Sequence, residues 1–170
     1  MGVTVTKDIV ADVLRRVKEL TKSEVLIGIP DANAERSSDE GDKTPITNAG
    51  IGYVMEFGSP AQNIPARPFL IPGVENMRDA AIARLKVAGD KALSGQKSDI
   101  EKELAKVGIL GQSAVRAKIT DGPFQPLAPR TIKAREARGR TGIKPLIDTG
   151  QLRQSVSFVV RQKGKDDARS

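Results

Sequence analysis

Serines, aspartates and one arginine-rich run are the parts of this 170-residue chain whose side chains could do chemistry. Ser113 and Ser155 are candidate nucleophiles, but the chain has no histidine to take their protons. Neither sits in a G-x-S-x-G elbow that would present its hydroxyl at a strand-to-helix turn. Asp148-Thr149-Gly150 matches the aspartic-protease triplet, which works only as a pair of carboxylates from two lobes and occurs here once. Asp148 is better explained as a helix cap, with Gln151 three residues on completing a capping box. Asp31, Glu35, Asp39, Glu40 and Asp42 are the right type for Ca²⁺ but lack the D-x-[DN]-x-[DN]-G spacing, so a solvated acidic loop over about 31–45 is expected. With no cysteine there are no thiolate metal sites and no disulfides. The sequence therefore predicts no catalytic residue, no metal and no cofactor: not an enzyme.

Binding chemistry is more promising. Arg130, Lys133, Arg135, Arg138, Arg140 and Lys144 run together with only Glu136 as counter-charge. Such a cluster suits DNA phosphates or an acidic protein partner, since phosphate contact needs cations in no particular order. The alternative is a flexible loop over 130–144 that orders only against a neighbouring subunit, because six like charges and two glycines give it little to recover its ordering entropy with. No aromatics interleave the cations, which argues against single-strand stacking, and no recognition helix is apparent. The wider balance agrees with an acidic partner for the second half. Residues 1–85 hold 10 basic and 12 acidic side chains, net −2, whereas residues 86–170 hold 18 and 9, net +9.

A second candidate contact is Ile64-Pro65-Ala66-Arg67-Pro68-Phe69-Leu70, in a proline-rich stretch over 59–72. Prolines hold the backbone extended and lower the entropy lost on docking. Phe69 and Leu70 would be apolar anchors, and Arg67 a planar fork for a carboxylate. The same residues would serve equally as a strap over the chain's own core. If the stretch is an intersubunit arm, Phe69→Ala weakens assembly more than it lowers subunit stability.

The elements that must position these residues follow from periodicity. Ile9, Val10, Val13, Leu14, Val17 and Leu20 predict an amphipathic helix over about 6–21. The β-branched run 24–29 reads as a strand, and Asn48 is placed to cap a helix over 49–57 that stops at Gly58. Helical spacing returns over 74–118, as two helices or one kinked at Ser94-Gly95, with Ser98 and Glu101 in capping-box positions. One or two helical turns over 131–138 stop at Gly139, and residues 156–161 alternate as a strand. Residues 163–170 read as a disordered tail. At this length one domain over 1–162 is expected, burying roughly 70% of its unfolded surface. Its core must be aliphatic, because there are four Phe, one Tyr and no Trp. The first ten residues hold no long apolar run and nothing approaches a membrane span, so the cytoplasm is the expected compartment.

Two blocks give these parts a context. Pro145-Leu146-Ile147-Asp148-Thr149-Gly150-Gln151-Leu152-Arg153-Gln154-Ser155 resembles the PL-x-DTG-x-L-x-x-S signature of the tail-completion and virion-morphogenesis proteins of long-tailed bacteriophages. Glu56-Phe57-Gly58 followed by residues 64–70 resembles the same family's EFG…IPARPFL segment. Between them, Pro126-Leu127-Ala128-Pro129-Arg130-Thr131-Ile132 is similar to its W-x-PLSPxTI segment, without the Trp. The resemblance implies an α+β subunit, a small sheet packed by an N-terminal helix and a long central helical segment. It implies assembly into a ring of six at the head–tail junction of the virion, joining the tail terminator or tube to the connector or stopper. Packaged double-stranded DNA would pass through the lumen, with no membrane involved. On this basis Ile64, Arg67, Phe69, Leu70, Leu146 and Leu152 are the expected subunit contacts. Two other readings stay open: a sequence-nonspecific DNA-binding protein of phage origin, and a tail-assembly chaperone.

Overall fold

The computed structural model describes residues 9–30, 46–95 and 97–163. The expected acidic loop at 31–45, the capping side chain of Ser98 and the tail beyond Lys163 lie outside the described residues. Within them the chain is α+β: seven α-helices and one two-stranded antiparallel sheet. In order these are α1 (Ile9–Thr21), β1 (Ser23–Gly28), α2 (Asn48–Phe57), α3 (Leu70–Asn76), α4 (Arg78–Leu93), α5 (Lys97–Asp121), α6 (Pro129–Glu136), α7 (Gln151–Ser155) and β2 (Ser157–Gln162).

The 25-residue α5 is the spine. Leu104, Val107, Gly108, Gly111, Val115 and Ile119 form its buried stripe, recurring at three- and four-residue steps. β1 and β2 lie on this stripe, with Glu24 opposite Arg161 in register and their side chains paired at 2.7 Å. Glycine makes the approach close enough, since a Cβ on Gly108 would overlap the Phe158 ring and one on Gly111 would overlap Ile27. A little further along, α3 crosses α5 at Gly73, where a Cβ would lie 2.7 Å from the Val115 Cα. The core gathers there: Phe69, Val115, Ile119, Leu152 and Val156, with Ile27, Ile29, Ile51, Met55, Phe124 and Leu146 packed against it.

After the end of α3 the helical stretch is two helices, α4 and α5, divided at Ser94-Gly95 as the two-helix alternative expects. α4 packs along α5 through Ala88 and Ala92 and is tied to α1 by Arg16, whose Nη1 donates to the Leu93 carbonyl at 2.8 Å. The cap of α2 also sits one residue earlier than expected. Thr47 supplies the side-chain oxygen, accepting from Gly50 N–H at 3.1 Å, while Asn48 is the first helical residue and is buried.

Glu103 on α5 is 2% exposed, and the ammonium groups of Lys91 and Lys106 donate to its Oε1 at 3.1 and 2.8 Å. The Lys106 hydrogen bond first, then that from Lys91, holds its carboxyl below the ordinary 4.5. A carboxyl lowered on folding contributes stability above that ordinary value and loses it as pH falls through the folded one. The thermal midpoint should therefore drop more steeply below about pH 4.5 in the wild type than in Glu103→Gln. Parallel acid limbs in the two proteins would contradict this.

Candidate functional site

Local structure first explains why the proline-rich stretch folds as it does. α2 ends at Gly58, whose φ of 77° is open to glycine, and whose Cβ would meet the Ala66 amide nitrogen at 2.9 Å. The chain then reverses through a 3₁₀ turn at Pro60–Gln62 and Asn63 at φ 55°, with Ser59 and Ile64 exchanging backbone hydrogen bonds. Arg67 N–H donates to the Met55 carbonyl at 2.6 Å, which lays the returning strand against α2. This is the strap, not the free arm. Arg67 is 6% exposed, Phe69 2% and Leu152 5%, so all three pack largely within their own subunit. Leu70 is half-buried against the same core. The stretch is also not extended throughout, since α3 begins at Leu70.

Two buried arginines hold the loops. Arg67 donates from Nε to the Gln125 carbonyl at 2.7 Å and from Nη2 to the Pro126 carbonyl at 2.9 Å. Arg135 donates from Nη1 to the carbonyls of Gly142, Lys144 and Ile147 at 2.7, 3.1 and 2.9 Å. Loop carbonyls without a strand or helix partner need donors, and a guanidinium carries five in one plane. These bonds correct the expectation for residues 130–144. The run is not a loop awaiting a partner: α6 occupies its first half, and Arg135 gathers the second half around itself. Between the last two of those carbonyls, Leu146 is held at φ 61°, a conformation branched side chains seldom adopt.

Asp148 is likewise not a helix cap. The residue before α7 is Gly150, and the side chain near its first amide is that of Thr149, whose Oγ1 lies 3.5 Å from Gln151 N. The Asp148 carboxylate instead accepts from Arg140 Nη1 at 2.9 Å and faces Arg135 Nε at 3.5 Å. Its Oδ1 is buried without a hydrogen bond. A cap needs only an oxygen, but two guanidinium neighbours need the charge. Asp148→Asn should therefore cost about 1–3 kcal/mol, below the full price of breaking a buried pair because the carboxylate is 22% exposed. Urea unfolding checks this, and a neutral Asn variant would restore the capping role.

Both resembling blocks and the segment between them converge on one cleft of about 390 Å³. Ile64, Arg67, Arg130, Arg135, Leu146, Asp148 and Leu152 all line it, with Ile51 and Met55 of α2 forming an apolar wall. Burial, and secondarily the neighbouring Arg135 guanidinium, lower the Arg67 pKa from the ordinary arginine value. Lys133, Arg138, Arg140 and Lys144 lie outside the cleft. Lys133, Arg138 and Lys144 are exposed, with Arg138 Nε turned back onto the Ala134 carbonyl at 3.0 Å.

Sequence reasoning missed Glu56. Its buried carboxylate accepts from the amides of Phe69 and Leu70, both at 2.8 Å, and of Ile71 at 3.0 Å, and so closes the start of α3. It also missed the surface on the other side of α2. Tyr53 and Phe57 are 68% and 59% exposed, stacked with ring centroids 5.0 Å apart and tilted by 53°. Exposed Ile71 borders the shallow hollow between α2 and the start of α3 that these rings also line. Apolar spacing turns Phe57 inward with Ile51, Val54 and Met55; Ile51 and Met55 do meet the core, but Phe57 stays exposed beside Tyr53.

No protein-family model, curated protein or solved structure matches the chain.

Proposed function

We propose that this chain is a structural virion protein of the head–tail junction of a long-tailed phage. In this reading it is a neck subunit that joins copies of itself into a ring, of six, around the DNA channel. The observation that carries the reading is the exposed aromatic face of α2. A chain with only five aromatic residues leaves two of them stacked in solvent beside an exposed isoleucine. Exposed apolar patches of this kind mark protein contacts, and aromatic residues dominate their energetics.

A second apolar surface lies elsewhere. Val10, Leu14 and Val17 recur along α1 at helical spacing and are 68%, 64% and 41% exposed, so they form an exposed apolar stripe. Two unlike apolar surfaces on separate elements suit a head-to-tail contact, in which one patch of each copy meets the other patch of the next. Contacts of that kind close into a ring when the rotation between successive copies closes. The resemblance of the two sequence blocks supplies the virion context.

The test is paired. Tyr53→Ser with Phe57→Ser should convert assemblies to subunits in sedimentation, at a cost to subunit stability under about 1 kcal/mol because both rings are largely exposed. Unchanged assembly would count against the reading.

One observation favours the nonspecific DNA reading as second choice: α6 and the loop after it expose Arg130, Lys133, Arg138 and Lys144. Steep loss of duplex DNA binding with rising salt by the isolated subunit would favour it. The chaperone reading requires a monomer that is absent from finished particles.

A further inference from the structure

The cleft holds more positive charge than its own residues answer. Among the described residues, Arg67, Arg130 and Arg135 line it against the single carboxylate of Asp148, which Arg140 also contacts from outside. Arg67 and Arg135 are both 6% exposed, and burial first, then the neighbouring Arg135 guanidinium, raises the cost of charging Arg67. Among the described residues no carboxylate pairs with Arg67 or Arg130. The donors of Arg67 go to two backbone carbonyls and, weakly, to the Met55 sulfur at 4.0 Å. Buried cations are ordinarily answered by an anion. Ile51 and Met55 give the same cleft of about 390 Å³ an apolar wall.

We infer that the cleft is a carboxylate-receiving site, and that its occupant is the acidic segment 31–45 of a second copy of this chain. Charge complementarity singles that segment out. Asp31, Glu35, Asp39, Glu40 and Asp42 stand there against only Arg36 and Lys43, in a chain whose second half is strongly basic. Reach is sufficient: fifteen residues span at most about 50 Å when extended. Arg130, exposed at the cleft mouth, meets the incoming carboxylate first, with Arg67 and Arg135 supplying the field behind it. This inference rests on the self-assembly proposed above, and it adds a charged contact to the apolar ones.

The absence of native cysteine makes a clean test available. One preparation carries Arg130→Cys and another Glu40→Cys; they are mixed, allowed to assemble and mildly oxidised. The expected result is a disulfide-linked dimer at least ten-fold more abundant than from a control mixture of Lys86→Cys with Glu40→Cys. Replacing Glu35, Asp39 and Asp42 by Gln, Asn and Asn in the Glu40→Cys chain should remove that excess. Assembled protein with no excess over the control would overturn the inference and leave the assembly reading intact. Closure within single chains of the Arg130→Cys, Glu40→Cys double variant, with no intermolecular product, would overturn the second-copy assignment. A mixture that stays monomeric by native mass would overturn the assembly reading and this inference together.

Discussion

Phe69→Ala is expected to lower the stability of the isolated subunit by about 3–5 kcal/mol, the range for truncating a fully buried aromatic side chain. Phe69 is 2% exposed and packs in the cluster with Val115, Ile119, Leu152 and Val156. It sits where α2, α3, α5 and α7 meet, and its neighbours are braced on several sides. Gly73 already holds α3 hard against the α5 backbone, which leaves little room for collapse into the vacated space. Because the contact is internal, assembly should weaken only as far as the subunit itself unfolds. Urea unfolding at concentrations where the subunit is monomeric separates the two effects, since assembly otherwise adds to apparent stability. A variant that kept its subunit stability while losing assembly would restore the intersubunit arm.

The second large effect is expected at Glu56. The first amides of a helix have no partner within it, and α3 deals with all of its own. Phe69, Leu70 and Ile71 donate to the Glu56 carboxylate, Pro72 has no N–H, and Gly73 begins the regular ladder by donating to the Phe69 carbonyl. Glu56→Ala leaves three donors without an acceptor, one of them on a fully buried residue. The cost should be about 2–4 kcal/mol, given that the less buried amides can recruit water. Glu56→Gln keeps one oxygen and turns an NH₂ toward the other donors, so it should fall between wild type and Ala. If Glu56→Ala lies within about 0.5 kcal/mol of wild type, the carboxylate does not hold the strap.

These two residues also mark how far the sequence could be read. Helical and strand periodicity placed α1, α2, α5, β1 and β2 to within a few residues, because apolar spacing is a property of the local chain. Assignments that depended on distant partners went astray. Asp148 stands in a good local position for a cap, and only the fold brings Arg140 and Arg135 to it. Residues 130–144 look unable to order alone when counted as charges. The fold turns one of those charges inward, where Arg135 gathers three carbonyls. Pro72 argued for an extended stretch through to the end of the proline run. It is instead tolerated in the first turn of α3, where its missing N–H costs nothing.

The candidate site was legible in its parts and not in its assembly. Ile64, Arg67, Arg130, Leu146 and Leu152 were each singled out from the sequence. That they line one cleft follows from the strap reversing along α2 and from Arg67 drawing residues 125–126 toward it, neither of which leaves a local pattern. Glu56 could have been suspected on physical grounds, as a carboxylate one residue before the end of an apolar helix and ahead of a segment whose amides lacked partners. The aromatic face of α2 escaped because aromatic residues are ordinarily assigned to a core, above all in a chain that has so few.

The central claim is that this subunit builds a ring from surfaces its own fold leaves uncovered. Native mass measurement of the purified wild-type chain tests that most directly. The expected result is a closed assembly, of six subunits, that dissociates when Tyr53 and Phe57 are replaced by Ser. A wild-type chain that remains a single subunit at every concentration, and is absent from finished particles, would contradict it.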